Sequence, residues 1–175
     1  MKLAQILHGS KHVMAANLLR NYKLPLNVYL AVTERCPNNC KYCNYKDYSE
    51  NHQNELTDEQ ILRLIDEMHA LGTQRLQITG GEPMFKRGIG KIIDHAKDRG
   101  MFVGLSTSGY QISERVAELK NADIVFLSLD GEEEINDYLR GPGIYRTVME
   151  AMSALRENNI DFWTTTVVTK KNMHS

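Results

Sequence analysis

The chain has 175 residues, 42% of them hydrophobic and 25% charged, and 21 Lys and Arg against 22 Asp and Glu leave a net charge of −1. That length is about one domain at the usual size of roughly 150 residues, and the apolar content is enough to bury a core. The charge balance excludes a highly charged disordered chain and a binder held to nucleic acid by phosphate neutralisation, so no nucleic-acid partner is expected. The longest apolar run, from Val28 to Val32, falls far short of the ~20 residues of a membrane span, and the amino terminus carries no long apolar stretch with a cleavage site. No membrane span and a cytoplasmic location are the expectations.

Residues 1–24, with Leu18 and Leu19 between Gly9-Ser10 and Leu24-Pro25, read as an N-terminal helical extension. A first strand is predicted at 28–33 (VYLAVT). Thr57-Asp58-Glu59-Gln60 has the form of a capping box, opening a helix with Ile61, Leu62, Ile65, Met68 and Leu71 on one face and Gly72 at its end. A second strand at 74–79 (QRLQIT) precedes a helix carrying Ile89, Ile92, Ile93 and Ala96, closed by Gly100. The third strand, 101–106 (MFVGLS), leads to a helix through Ile112, Val116 and Leu119. The fourth, 123–129 (DIVFLSL), is followed by a short helix opened by the acidic run Glu132 to Glu134 and by a longer one with Val148, Met152 and Leu155. A fifth strand is predicted at 162–168 (FWTTTVV), with Trp163 assigned to the core. Strands alternating with helices imply βαβ units and a parallel sheet, hence the α/β class. The apolar strands suit a sheet covered on one face and closed or buried on the other. In such sheets chemistry gathers at the carboxyl ends of the strands.

Three cysteines occur, all within Cys36-Pro-Asn-Asn-Cys40-Lys-Tyr-Cys43, just beyond the first strand. An odd number so closely spaced makes a poor disulfide framework, and thiolates select zinc, copper(I) or iron–sulfur clusters. A structural zinc site wants four ligands, and His52 is the nearest candidate to complete one, although no spacing places it there. An electron-transfer four-iron cluster is likewise normally held by four cysteines. Three thiolates on a four-iron cluster leave one iron open to a small molecule.

CxxxCxxC with an aromatic residue, Tyr42, before the last cysteine resembles the radical S-adenosylmethionine superfamily. The resemblance implies a 4Fe–4S cluster on Cys36, Cys40 and Cys43 whose open iron chelates the amino and carboxylate groups of S-adenosylmethionine. Reductive cleavage then gives methionine and a 5′-deoxyadenosyl radical that abstracts hydrogen from a cofactor precursor, a peptide or another small molecule. Ile78-Thr79-Gly80-Gly81-Glu82-Pro83, ending the second strand, is similar to the family's GGEP motif, whose backbone carbonyls take the methionyl ammonium, with Glu82 as an anion beside that cation. Ser106-Thr107-Ser108-Gly109 stands where relatives often read Thr-Asn-Gly, so Thr107 and Ser108 are candidate hydroxyl contacts in place of an amide. Ser128-Leu129-Asp130-Gly131 resembles the SLDG of the branch containing molybdenum-cofactor, quinone-cofactor and peptide-modifying maturases. Alternation aims Ser128 and Asp130 into the barrel mouth. Arg140-Gly141 is similar to Arg-Gly pairs of that branch that meet the methionyl carboxylate, and Thr169 and Asn172 resemble its VVTxxN ending near the adenine edge.

The family fold is a (β/α)6-type, incomplete TIM-like barrel, of which about five βα units are legible over residues 25–175, and the chain is expected to stop before a sixth strand. A further segment or a partner chain is the expected completion, and a reducing partner such as flavodoxin or ferredoxin is implied. Two alternatives stay open: an activating enzyme that makes a glycyl radical on a partner protein, and a non-catalytic zinc or iron–sulfur module. The histidines His8, His12, His69, His95 and His174 share no spacing and are read as solvated or capping, and Tyr45, Asp47, Tyr48 and His52 as a polar loop.

Overall fold

A computed structural model describes residues 25–44 and 55–173. The expected N-terminal helix, the Tyr45 to His52 loop, and His8, His12 and His174 lie outside the described residues. Five parallel strands make one sheet in chain order: β1 (Asn27–Ala31), β2 (Arg75–Thr79), β3 (Phe102–Thr107), β4 (Ile124–Ser128) and β5 (Phe162–Thr165). Between them lie α1 (Asp58–Ala70), α2 (Ile89–Asp98), α3 (Ile112–Arg115), α4 (Glu133–Arg140) and α5 (Ile144–Glu157). Parallel strands taken strictly in sequence, each joined by a right-handed crossover, keep their helices on one face, which is how a barrel winds. The sheet is therefore α/β and of the partial-barrel type expected.

The core sits between sheet and helices. Leu76 and Ile78 of β2, Val103 and Leu105 of β3, and Val125 and Leu127 of β4 meet Ile61 and Ile65 of α1, Ile92, Ile93 and Ala96 of α2, and Val148, Ala151 and Leu155 of α5. Thr57 caps α1 as a full capping box, donating Thr57 N–H to Gln60 Oε1 and accepting from Gln60 N. Gly72 and Gly100 follow α1 and α2 in the left-handed region, as read from the sequence. His95 is held by Asp66 at 2.8 Å on α1, so it joins two helices rather than capping or standing free.

No described element covers the other face of the sheet, and here the structure corrects two expectations. Trp163 is not core: it is 67% exposed, set edge-on against Phe126 at 6.1 Å between ring centroids. It lies on the uncovered face of β5, whose neighbour among the described residues is β4 alone. Tyr29 of β1 is likewise 77% exposed, and between these residues Gln77 donates to Ser106 Oγ at 2.9 Å. β5 also ends sooner than expected, because Thr166 Oγ1 donates to Leu129 O and the Val167 N–H turns to Asp130 Oδ1.

The expected third helix is broken into α3 and a 3-10 turn, Val116–Leu119. Its start has no side-chain cap, and Arg115 at the break reaches sideways to the carbonyls of Met84, Lys86 and Arg87 while pairing with Glu118. Leu105 is fully buried at the centre of the sheet, so Leu105→Ala is expected to cost about 3 kcal/mol by urea denaturation. Thr57→Ala removes one cap bond and is expected to cost about 1 kcal/mol by the same measurement. The reverse order would contradict this placement of the core.

Candidate functional site

The ladder between β1 and β2 does not stop with the sheet. Beyond the paired Ala31 and Thr79, the Val32 N–H donates to Thr79 O at 3.0 Å, Gly81 N–H to Thr33 O at 2.8 Å and Glu82 N–H to Arg35 O at 2.8 Å. The segment that leads into Cys36 is thus zipped, backbone to backbone, onto the two glycines. A Cβ on Gly80 would lie 2.3 Å from Thr33 O, and one on Gly81 2.5 Å from both Glu34 O and Arg35 O. Gly80 also has a φ of +144°, a conformation that favours glycine. The sequence motif suggests glycines that admit a ligand; the structure shows that they first admit the chain's own cysteine loop. The carbonyls of Gly80 and Gly81 accept no hydrogen bond from the described residues, which leaves them as acceptors at the loop junction.

On the far side of this junction, Glu55 accepts from Thr33 Oγ1 at 2.5 Å and from the Glu34 N–H at 3.1 Å, and pairs with Arg35 at 3.2 Å. These donors hold its carboxyl below the ordinary carboxylate range against the opposing effect of burial, the largest single influence. Thr33, Arg35 and Glu55 were not legible as site residues, since only the fold brings Glu55 back to β1.

Glu82, expected beside a ligand cation, has its carboxylate surrounded by the chain's own donors. It is 1% exposed, and its carboxylate accepts four hydrogen bonds: Thr107 Oγ1 at 2.6 Å, Ser108 Oγ at 2.6 Å, Ser108 N–H at 2.8 Å and Met84 N–H at 3.1 Å. Burial pushes its pKa up, and the Ser108, Thr107 and Met84 donors oppose that rise. The side chain therefore braces the end of β2 against the end of β3. Thr107 and Ser108 are brought to the site, with their hydroxyl protons donated inward to Glu82.

A second group forms around Asp130, past the end of β4. Its carboxylate accepts from Tyr42 Oη at 2.5 Å, from Arg140 Nη2 at 3.1 Å and from the Val167 N–H at 2.9 Å, and Arg140 Nε stands 2.7 Å from Oδ2. The Asp130 N–H donates to Asn136 Oδ1, and Asn172 Nδ2 donates to Asp130 O at 2.8 Å. Asp130 is thus buried inside a hydrogen-bonded knot and does not line the mouth beside Ser128. Ser128 ends β4 paired with Thr165, and its hydroxyl joins neither group among the described residues. Asn172, with Thr169 N–H and Oγ1 donating to its Oδ1, secures the knot from below.

The cysteine loop is tied to this second group. Lys41 N–H donates to Leu139 O at 2.9 Å, Cys40 Sγ contacts Arg140 O at 3.8 Å, and the Arg140 guanidinium lies 5.6 Å from the Tyr42 ring centre. Cys36 and Cys43 are half-buried, Cys40 is buried, and none forms a disulfide. Burial pushes the Cys36 thiol up to about 11, against the Asn38 N–H, with Glu82 and the other two thiols adding to the rise. Cys40 is raised by burial, opposed by Arg140, and Tyr42 is raised by burial and then by its bond to Asp130. Cys36 and Cys40, whose ionisation is disfavoured by burial and by the neighbouring thiols, suit a positively charged metal centre, which would supply the missing counter-charge. Among the described residues no three His, Cys, Asp or Glu side chains converge on a single-ion site. The donor set, three sulfurs on one loop, fits an iron–sulfur cluster. Because residues 33–35 have no room to retreat from a Cβ, Gly81→Ala is expected to lower the melting temperature and reduce the iron taken up on anaerobic reconstitution. Wild-type iron content in that variant would show that the backbone contact does not position the loop.

A family model described as the radical SAM superfamily matches residues 30–174. A PqqA peptide cyclase of Bradyrhizobium diazoefficiens is 29% identical over 158 residues, covering 87% of this chain and 42% of that protein. An AdoMet-dependent heme synthase of Nitratidesulfovibrio vulgaris is 31% identical over 149 residues, covering 82% and 41%. The chain spans about two-fifths of the length of these curated relatives. Among solved structures, native anSMEcpe with bound AdoMet and Kp18Cys peptide superposes with a TM-score of 0.69 at 21% identity, over 82% of this chain and 43% of that one. Streptococcus suis SuiB bound to its precursor peptide SuiA gives 0.64 at 18% identity, over 91% and 43%. At these identities the structural likeness is one of fold. Since that family model spans most of the chain, cysteine loop, glycine junction and sheet included, the chain belongs to the radical S-adenosylmethionine superfamily, a family that implies an iron–sulfur cluster and S-adenosylmethionine.

Proposed function

We propose that this chain is the S-adenosylmethionine-cleaving core of a radical enzyme acting on a peptide, with Cys36, Cys40 and Cys43 as ligands of a 4Fe–4S cluster. The observation that supports the reading is the zipping of the cysteine loop onto Gly80 and Gly81, whose carbonyls accept no hydrogen bond from the described residues. When bound, the cluster and S-adenosylmethionine together supply a 5′-deoxyadenosyl radical by one-electron reductive cleavage of the sulfonium.

The chain's own residues divide into contacts and braces. Gly80 and Gly81 offer carbonyl oxygens to an ammonium, Arg140 a guanidinium edge to a carboxylate, and Tyr42 and Ser128 an aromatic face and a hydroxyl to the nucleoside. Glu82, Thr107, Ser108 and Asp130 hold those contacts in place, because their polar atoms already face one another. Closing the carboxyl ends of the strands over such a site excludes water from a reactive radical.

Peptide as the substrate class draws on three of these relatives, whose names or bound ligands include peptides, PqqA, Kp18Cys and SuiA, while the heme synthase is named for a different product. A flavodoxin or ferredoxin is the proposed electron source, and free thiols fit the reducing cytoplasm, where disulfides are rare. Anaerobic reconstitution with iron and sulfide, then dithionite and S-adenosylmethionine, tests the reading. The expected result is a brown protein that forms 5′-deoxyadenosine and methionine, with Cys36→Ala, Cys40→Ala and Cys43→Ala each losing both colour and product. A colourless protein with stoichiometric zinc and no 5′-deoxyadenosine would contradict it.

A further inference from the structure

We infer that Asp130 is a positioning residue: it pairs with Arg140 on the Nε/Nη2 side of the guanidinium so that the Nη1 end is presented to the carboxylate of S-adenosylmethionine. The inference rests on the function proposed above and adds a role that the cofactor contacts alone do not require.

A guanidinium has two edges able to meet a carboxylate with paired N–H groups, the Nε/Nη2 side and the Nη1/Nη2 end. Asp130 faces the first with an ion pair and one hydrogen bond: Nη2 donates to Oδ1 at 3.1 Å, while the buried Nε stands 2.7 Å from Oδ2 and makes no hydrogen bond to a described residue. Nη1 makes no hydrogen bond to a described residue, so the end of the fork is left for a second anion. Tyr42 fixes the plane, its ring 5.6 Å from the guanidinium carbon and its hydroxyl on the same Asp130 oxygen that faces Nε.

Asp130 itself has little freedom to move. It lies with no side-chain exposure among donors from three segments: Tyr42 of the cysteine loop, Arg140 at the end of α4, and the Val167 N–H after β5. Asn136 and Asn172 hold its backbone on either side. A buried ion pair contributes little net stability, since desolvation offsets the Coulomb gain. What this pair supplies is a direction, as does the outer partner that orients a metal-ligating histidine. It also joins the cysteine loop to the ligand edge of Arg140 through one carboxylate.

The test is a double-mutant cycle on cluster-loaded protein under anaerobic conditions, reading the Kd for S-adenosylmethionine by calorimetry with a melting curve for every variant. Asp130→Asn keeps the shape but sets an amide against the Arg140 donors, and is expected to raise Kd about tenfold. In an Arg140→Gln background the same change is expected to raise Kd less than about twofold, because its effect passes through the guanidinium. If Asp130→Asn fails to fold, Asp130→Glu carries the measurement, with a severalfold rise expected from the displaced fork. A wild-type Kd in a folded Asp130 variant, or full additivity in the Arg140→Gln background, would overturn the inference. A wild-type protein that takes up its cluster yet binds no S-adenosylmethionine would instead overturn the functional reading.

Discussion

The contact on which the site depends is the continuation of the β1–β2 ladder past the end of the sheet. Three backbone bonds, from Val32, Gly81 and Glu82, carry the strand pairing forward until the first cysteine is reached. Such an approach is possible only where the facing residues lack a side chain: a Cβ at position 80 or 81 would lie within 2.5 Å of a carbonyl oxygen. The glycines thus do two things with one property. They let the cysteine loop close down, and their carbonyls, unpaired among the described residues, then lie at its root. A parallel sheet is rigid because it is packed on its helices, so a loop in register with it inherits that rigidity.

Two buried carboxylates extend the same constraint sideways. Glu82 holds β2 to β3 through Thr107 and Ser108, and Asp130 holds the cysteine loop to α4 and to the chain after β5. Neither lies open to a ligand, and each is surrounded by donors, as a buried anion must be. Burial and neighbouring charges push the Cys36 and Cys40 thiols up, so each disfavours the thiolate in the absence of a nearby cation.

Much of this was legible in local sequence. The strands, the Thr57 capping box and the cysteine spacing are short-range patterns, and each appears within a few residues of its expected place, because burial period and cap chemistry act locally. The direction of a side chain at a motif was not. Glu82 reads as an anion for a ligand, yet the turn Pro83–Phe85 brings the Met84 N–H back to its carboxylate and aims it at β3. Asp130 alternates correctly with Ser128 on paper, but β4 ends at Ser128 and the alternation lapses there. Trp163 shows the same limit on a larger scale, since an apolar strand does not say which of its faces is covered. Glu55 and Asn136 carried no signal, because their partners come from distant parts of the chain or depend on how α4 begins.

The most direct test of the account is Mössbauer spectroscopy of protein reconstituted with iron-57, recorded with and without S-adenosylmethionine. Three thiolates on a 4Fe–4S cluster predict one iron whose signal separates from the others when S-adenosylmethionine is added. A cluster whose irons remain equivalent with S-adenosylmethionine present, or a protein that takes up no iron at all, would contradict it.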